Sequence, residues 1–364
     1  MTASKPHFSG DLPPDAGPVP PKVSEALQAA AADEERGERP IALSIDLLRK
    51  ADLLTDDGAK DPTRTARALM RIGAANLGVG RLFEGHVNAL HLIRLYGTEA
   101  QGQDVARHIS NGAFLGVWGA DGNVPVTGGT GKTLAGRKCF ASGLGTVSHA
   151  LVTVNSGPNV RLALVDVSDI TRADPSAWDM LGMRATVSGT YDVSGLSDDK
   201  VEWIGVPGKY LQEPHFVGGV WRIAALQVGA ATGLLDMAAS ELRAIDRMHA
   251  EAQQTRMMTA LMRAWAGMVL TERSAQATTE TGILPEDIVT SSIAARLFTE
   301  EVGLNAIRVV EQSIGLRHFE AGSQTGRMAR DLSVYLRQAA RDAFLQRAAQ
   351  TTLGEPGKIW GMFG

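Results

Sequence analysis

The sequence of 364 residues contains one cysteine, Cys139, which excludes an internal disulfide and any metal site built from several cysteines. No apolar run approaches the length of a membrane-spanning helix, and the N-terminus lacks the charged-then-apolar pattern of a signal peptide. The net charge is -4 and no basic block exists, which argues against nucleic-acid binding. We therefore expect a cytoplasmic protein that uses neither a membrane nor nucleic acid.

Only 5% of the residues are aromatic, and the chain is instead rich in alanine, leucine, methionine and glycine. Proline-rich residues 1–21 predict a flexible tail. Residues 22–112 predict an all-helical domain from their apolar spacing. Short apolar runs among glycine, threonine and valine predict a β-barrel or sandwich over 113–210. Long amphipathic stretches predict an antiparallel four-helix bundle over 211–350, followed by a tail over 351–364, so the fold class is α+β with several domains.

Finer predictions apply within these regions. The fourth bundle helix is expected over Arg327–Gln350. Gly136–Gly145 is expected to be a strand edge, on which Cys139 would face away from its neighbours by strict alternation. The segments expected to form strands are Leu151–Val154, Arg161–Val167, Met183–Val187, Tyr191–Val193 and Val201–Val206.

One glycine-rich segment, Gly128–Thr133, resembles a phosphate-binding P-loop. That pattern requires a glycine where this chain has Val126, and it opens a helix, whereas the residues that follow here are strand-like. We interpret the segment as a hairpin and not as an ATP site.

Four motifs occur in a fixed order. The first is Gly136–Gly145 (G-R-K-C-F-A-S-G-L-G), and the second is Trp178 followed by Leu181–Thr186 (L-G-M-R-A-T). The third is Arg222 followed by Gly229 and Gly233, and the fourth is Glu311–Gly315 (E-Q-S-I-G) followed by Arg327–Asp331 (R-M-A-R-D). Together they resemble the acyl-CoA dehydrogenase superfamily over about residues 41–350. The resemblance implies a helical domain, a β domain and a four-helix bundle in that order.

The resemblance also implies an FAD cofactor with an aromatic wall and a hydroxyl beside the flavin, here Phe140 and Ser142. In the family, the bundle contacts the FAD nucleotide of a neighbouring subunit, which implies a homodimer or homotetramer. The implied cofactor-binding residues are Trp118, Phe140, Ser142, Arg247, Gln312 and Gly315, and Arg222 is the implied substrate-binding residue. Leu316 and His318 replace two glycines of the fourth motif.

The catalytic glutamate of the family is missing. Its two known positions hold Ala339 and Trp221, and neither side chain can take a proton. The substitutes that remain nearby in sequence are Asp342, Glu320, His318 and His215. The alternative interpretation of Asp342 is an ion pair with Arg341 or Arg337 on a solvated face.

Three functions remain open. The first is an FAD-dependent oxidoreductase that acts on the CH–CH group of an acyl thioester, with an unassigned base. The second is a flavin monooxygenase of the same fold that takes reduced flavin from a partner reductase, which the missing base and the altered loop at Val117–Gly122 favour. The third is a catalytically degenerate structural subunit. The expected partners are a small-molecule substrate and an electron-transfer or flavin-reductase protein.

Overall fold

The computed structural model describes residues 17–129, 131–197, 200–354 and 356–363. Most of the predicted proline-rich tail therefore lies outside the described residues. Within them, the helices are α1 (Pro21–Arg36), α2 (Ala42–Lys50), α3 (Pro62–Ala75), α4 (Leu77–Tyr96), α5 (Glu99–Ser110), α6 (Trp221–Ala244), α7 (Glu251–Ala277), α8 (Pro285–Ile314), α9 (Gln324–Tyr335) and α10 (Arg341–Leu353). The strands are β1 (Leu115–Trp118), β2 (Thr127–Gly129), β3 (Lys132–Ala135), β4 (Arg137–Lys138), β5 (His149–Val154), β6 (Arg161–Asp166), β7 (Ala173–Asp174), β8 (Thr190–Asp192) and β9 (Val201–Ile204).

Local start signals fix the N-terminal helices. Asp61 accepts a hydrogen bond from a backbone amide of α3, with Pro62 at the first helical position. Asn76 caps α4 in the same way, and Thr98 forms a capping box with Gln101 at the start of α5. Helix α4 is buried along most of its length because it packs against α3, α6, α9 and β1.

The strands form three small sheets. The largest has the order β1-β5-β6-β9, with β1 parallel to β5 and the other pairs antiparallel. A second sheet has the order β4-β8-β7, and β2 pairs with β3 as a hairpin. The hairpin lies where the sequence suggested a P-loop. The predicted strands around Leu151, Arg161, Tyr191 and Val201 are confirmed.

The predicted strand over Met183–Val187 is wrong. Residues 184–186 form a single 3₁₀ turn, flanked by left-handed backbone at Met183 (φ 58°) and Val187 (φ 42°). Gly182 enters this turn with no room for a side chain, since an added Cβ would lie 2.6 Å from the carbonyl oxygen of Arg330. Contacts with distant parts of the chain therefore override the apolar pattern of the segment.

The prediction that Gly136–Gly145 is a strand edge holds only for Arg137 and Lys138, which form β4. The chain then turns, because Phe140 has left-handed backbone (φ 51°). The strict alternation that would point Cys139 away from its neighbours therefore does not apply.

Helix α6 is the centre of the C-terminal bundle and packs against α3, α7, α8 and α9. By length and composition, Val217–Ala244 is apolar enough to cross a membrane, but much of it is buried in the protein. The predicted fourth bundle helix is not continuous. It breaks into α9 and α10 at Ala340, whose backbone is left-handed (φ 61°).

Candidate active site

A buried ion pair at the last residue of β4 stabilises the turn that follows this strand. The Lys138 ammonium is fully buried and donates hydrogen bonds to Asp121 and to the Thr153 hydroxyl. Burial lowers the pKa of Lys138. With the end of the strand anchored in this way, Phe140 projects outward and remains 59% exposed, which is unusual for a phenylalanine beside a sheet.

Ser142 is fixed by a chain of hydroxyl groups. Its Oγ accepts a hydrogen bond from Ser188 Oγ at 3.0 Å, and Ser188 Oγ lies 2.8 Å from Thr186 Oγ1. Thr186 in turn donates to the Met183 carbonyl at 2.7 Å. Trp118 Nε1 donates to the Ser142 carbonyl at 3.0 Å, so Trp118 is buried behind the turn and supports it.

The 3₁₀ turn beside Ser142 binds two carboxylates through its backbone. The amide of Met183 donates to Asp331 at 2.7 Å, and the amides of Arg184 and Ala185 donate to Glu35 at 3.0 and 2.9 Å. Burial, and then the neighbouring Asp331, raise the pKa of Glu35 to about 7. Burial also raises the pKa of Asp331. The turn facing Ser142 is thus held by groups from α1 and α9.

This surface fits a flat aromatic group such as a flavin ring. Phe140, Leu181 and Val187 expose apolar side chains around the turn. Trp178 stands edge-on to Phe140, with ring centroids 6.2 Å apart, and its buried Nε1 has no hydrogen-bond partner within the described chain. An apolar wall with a few placed polar groups, here a fixed hydroxyl at Ser142 and an unpaired N–H group, is the usual composition of a cofactor site.

A polar stripe on helix α4 extends from this wall into the protein. Arg81, Glu84, Asn88 and His91 lie on one face of the helix, because they are three, four and three residues apart. Arg81 lines a narrow cleft with Ser142 and donates to Glu84 at 2.6 Å. None of these four residues was among the predicted site residues, although four polar residues at helical spacing in an apolar helix are a recognisable pattern.

Arg222 joins the stripe from helix α6. Its Nη2 donates to Asn88 Oδ1 at 2.8 Å, and its Nε lies 3.9 Å from Glu84 Oε1. Two cavities of about 180 Å³ each meet at Arg222, Gly219 and His215. One of them is also lined by His91, whose pKa burial lowers to about 3. Burial lowers the pKa of His215 as well, so both imidazoles are neutral at pH 7.

Comparisons with known proteins decide the fold. No protein-family model and no curated protein sequence matches the chain. Among solved structures, TdsC from Paenibacillus sp. A11-2, solved with FMN and indole, aligns with a TM-score of 0.78 and 18% identity over 92% of this chain and 95% of its own. The chain has the acyl-CoA dehydrogenase fold.

Two further structures with this fold agree. KijD3, solved with FMN and a dTDP-linked amino sugar, aligns with a TM-score of 0.74 and 18% identity over 93% of this chain and 94% of its own. The 3-HSA hydroxylase from Rhodococcus sp. RHA1 aligns with a TM-score of 0.75 and 18% identity over 92% of this chain and 96% of its own. An identity this low establishes the acyl-CoA dehydrogenase fold and leaves the reaction open.

The structure brings none of the candidate bases to Ser142. Asp342 is exposed at the start of α10, where it pairs with Arg341 at 3.6 Å. Glu320 is exposed, and His318 is buried with its Nδ1 3.1 Å from the Thr325 hydroxyl. At the two positions that the sequence resemblance assigned to the glutamate of the family, Trp221 is buried and Ala339 lies in the break between α9 and α10. The catalytic roles of Asp342, Glu320 and His318 stay predictions.

The predicted nucleotide contacts lie at the opposite end of the bundle from Arg222. Arg247 follows the C-terminal end of α6 and is exposed, about 35 Å along the helix axis from Arg222. Gly315 ends α8 with left-handed backbone (φ 68°). Gln312 lines a groove of about 640 Å³ between α7 and α8. The cations that share this groove are Arg256, Arg263 and Arg308.

Proposed function

We propose that this protein is a flavin-dependent oxidoreductase and, within that class, a monooxygenase. The observation that carries the proposal is the wall of Phe140, Trp178 and Ser142, where an exposed aromatic surface, an unpaired buried N–H and a fixed hydroxyl converge. A bound flavin supplies electron transfer and, when reduced, the activation of oxygen. The residues of the wall bind the ring, and the Ser188–Ser142 hydroxyl pair orients a hydrogen bond toward it.

The monooxygenase is favoured over a dehydrogenase because the carboxylates near this site are already engaged. Glu35 and Asp331 accept hydrogen bonds from the turn at Met183–Ala185. Glu84 is held between Arg81 and Arg222, so it is poorly placed to remove a proton from a substrate carbon. The similar structures add support, because they include a dibenzothiophene monooxygenase, a nitrososynthase and a hydroxylase.

Dehydrogenation of an acyl thioester is the second candidate, and Glu84 is the observation that favours it. A buried carboxylate next to the flavin wall is the kind of group that such a reaction uses as its base. In that case Glu84→Gln abolishes reduction of the flavin by an acyl-CoA. A monooxygenase retains oxygen uptake in this variant.

We further propose that the flavin is FAD. The groove at Gln312 supports this choice, because its three arginines outnumber its one carboxylate, Glu251, and can neutralise the phosphates of an adenine dinucleotide. TdsC and KijD3 were solved with FMN, so the binding of the two flavins must be compared directly. Binding of FAD at least about tenfold tighter than FMN is expected if arginines contact the second phosphate.

We also infer that two or more copies assemble. Helix α7 exposes Met258, Met262, Trp265 and Val269, which lie on one face of the helix at spacings of four, three and four residues. A continuous apolar face of this kind is typical of a helix that packs against another chain.

The test begins with the absorbance of the purified protein between about 350 and 500 nm, where flavins absorb. Reduced flavin is then supplied with indole as the probe, and oxygen uptake and indole oxidation are followed. Product formed in proportion to oxygen supports the monooxygenase, and hydrogen peroxide without product contradicts it. Bleaching by an acyl-CoA supports the dehydrogenase. A folded, colourless protein that takes up no flavin supports the structural subunit.

A further inference from the structure

The buried cluster on helix α4 carries an uncompensated positive charge. Arg81 and Arg222 share the single carboxylate of Glu84. The other charged groups near the cavities have partners of their own. Arg94 pairs with Asp57 at 2.9 Å, and Arg347 pairs with Glu213 at 2.8 Å and with the half-exposed Glu286 at 2.7 Å. The two histidines are neutral at pH 7, and Lys209 is exposed to solvent. One excess cation therefore remains in the interior, and it sits at Arg222.

Arg222 is also incompletely hydrogen-bonded. It is 6% exposed, and its buried Nε has no hydrogen-bond partner within the described chain. Burial lowers the pKa of Arg222, which shows that its surroundings disfavour the cation. A buried guanidinium with an unpaired N–H is costly unless an anion or acceptor joins it.

The backbone beside Arg222 leaves room for its guanidinium. At Gly219, an added Cβ would lie 2.5 Å from Arg222 Nη2, so only glycine fits against it without displacement. Arg222 lines both cavities, and the one of them that reaches Glu84 and Asn88 has the apolar side chains of Leu92 and Phe344 in its wall. A cavity of about 180 Å³ exceeds the roughly 150 Å³ that can hold a benzene ring.

We propose that Arg222 is the subsite for a carboxylate of the substrate, and that the substrate is a small apolar, preferably aromatic, acid. The excess charge is close to one unit, which matches a carboxylate, whereas a phosphate group carries about two negative charges near pH 7. The planar guanidinium fork also suits a carboxylate.

Helix α4 sets the length of this substrate. Arg81 lines the cleft at Ser142, and Asn88, which holds Arg222, lies seven residues further along the helix. Seven residues correspond to about 10 Å of helix. A substrate with its reacting atoms near Ser142 and its carboxylate at Arg222 therefore spans about 10 Å. This inference deepens the proposed function and rests on it for the position of the reacting end.

Calorimetric titration of the purified protein with benzoate, and with its neutral analogue benzamide, tests the subsite without requiring turnover. Benzoate is expected to bind at least about tenfold more tightly than benzamide, as a charge-assisted hydrogen bond predicts. Asn88→Asp supplies an internal carboxylate of nearly unchanged shape. It is expected to weaken benzoate binding about tenfold while leaving the melting temperature equal or higher. Glu84→Gln removes the internal carboxylate and is expected to tighten benzoate binding.

Two further variants act on the guanidinium itself. Arg222→Gln removes the cation, and Gly219→Ala displaces it with an added methyl group, so both are expected to bind benzoate as weakly as benzamide. Arg317→Gln, at an exposed arginine that lies 3.6 Å from Glu241, is the matched control and keeps wild-type affinity.

Equal binding of benzoate by the wild type and Asn88→Asp overturns the subsite, and inorganic phosphate binding as tightly as benzoate overturns the choice of a carboxylate. A protein that discriminates benzoate but takes up no flavin contradicts only the proposed function. A yellow, oxygen-consuming protein without this discrimination contradicts only the subsite.

Discussion

At the scale of single residues, two carboxyl groups far apart in sequence share one turn. Glu35 and Asp331 both accept hydrogen bonds from the backbone between Met183 and Ala185. The charge of Asp331 raises the pKa of Glu35, whereas a hydrogen bond with Glu35 lowers the pKa of Asp331. Arg327 pairs with Asp331 at 3.0 Å and offsets part of the cost of burying this carboxylate. The proton therefore resides mainly on Glu35, which has the raised pKa of about 7.

This proton makes stability depend on pH. The pKa of Glu35 is about 7 in the folded protein and close to 4.5 in an unfolded chain. Between these values the folded chain holds a proton that the unfolded chain has released. The free energy of unfolding therefore falls as pH rises from about 4.5 to 7, and then levels off.

Urea unfolding at pH 5 and pH 8 measures the effect. The Glu35→Gln variant is expected to lose about 2 kcal/mol less stability than the wild type over that interval, since glutamine retains an acceptor oxygen but does not titrate. The nearby Glu34, whose pKa is also raised by burial, is present in both proteins and cancels. Parallel pH profiles for the two proteins would contradict the assignment.

Trp178 gives a second prediction at this scale. Its Nε1 is buried and unpaired, so Trp178→Phe removes a donor that contributes nothing to the folded apoprotein. We expect the melting temperature of the apoprotein to change little and flavin affinity to fall about tenfold. Fluorescence titration with FAD measures this, and Trp265→Phe on exposed helix α7 is the control. Unchanged flavin affinity in Trp178→Phe would show that the indole N–H faces another group.

The sequence could single out Phe140 and Ser142 as candidates, because their motif is local and its resemblance is carried by a few adjacent residues. It could not show what Glu35 and Glu84 contact. Glu35 binds a turn 149 and 150 residues away, and Glu84 matters only because Arg222 packs beside it. Neither contact leaves a pattern in the sequence. Contacts with distant residues also explain why the strand predicted at Met183–Val187 is wrong, since these residues form a turn.

At the scale of elements, α3 and α6 approach each other through two glycines. Added Cβ atoms at Gly229 and Gly233 would each lie 2.3 Å from a carbonyl oxygen of α3, that of Met70 and that of Ala74. The sequence motif marked these glycines, and the structure gives their purpose as backbone contact between the N-terminal helices and the bundle. Helix α4, with its polar stripe, packs beside the same pair.

Gly229→Ala is therefore expected to lower the free energy of unfolding by about 1–3 kcal/mol, because the helices must separate to admit the methyl group. Gly102→Ala is the matched control. Gly102 lies in exposed helix α5 with nothing within 4 Å of an added Cβ, so alanine there is expected to stabilise by about 0.5–1 kcal/mol. Equilibrium unfolding in urea distinguishes the two signs, and a stabilising Gly229→Ala would refute the close approach.

At the scale of the whole molecule, the exposed apolar face of α7 predicts assembly. Met262 is 60% exposed near the middle of that face, so Met262→Glu places a charge in any interface formed there. We expect light scattering after size exclusion to show a multimer for the wild type and a smaller species for the variant. Leu345→Glu, at an exposed leucine of α10, is the control and leaves the mass unchanged. A monomeric wild type would exclude assembly through α7.

The two carboxylates bound to the turn at Met183–Ala185 also determine when the site can form during synthesis of the chain. Glu35 in α1 is synthesised before the turn, but Asp331 in α9 is synthesised about 150 residues after it. The turn therefore lacks its second carboxylate partner until residue 331 has been made. At about 10 residues per second, the ribosome needs roughly half a minute to reach that point. The wall around Ser142 is complete only after this. Binding of the cofactor therefore requires that α1 and α9 have both docked against the turn in the middle of the chain.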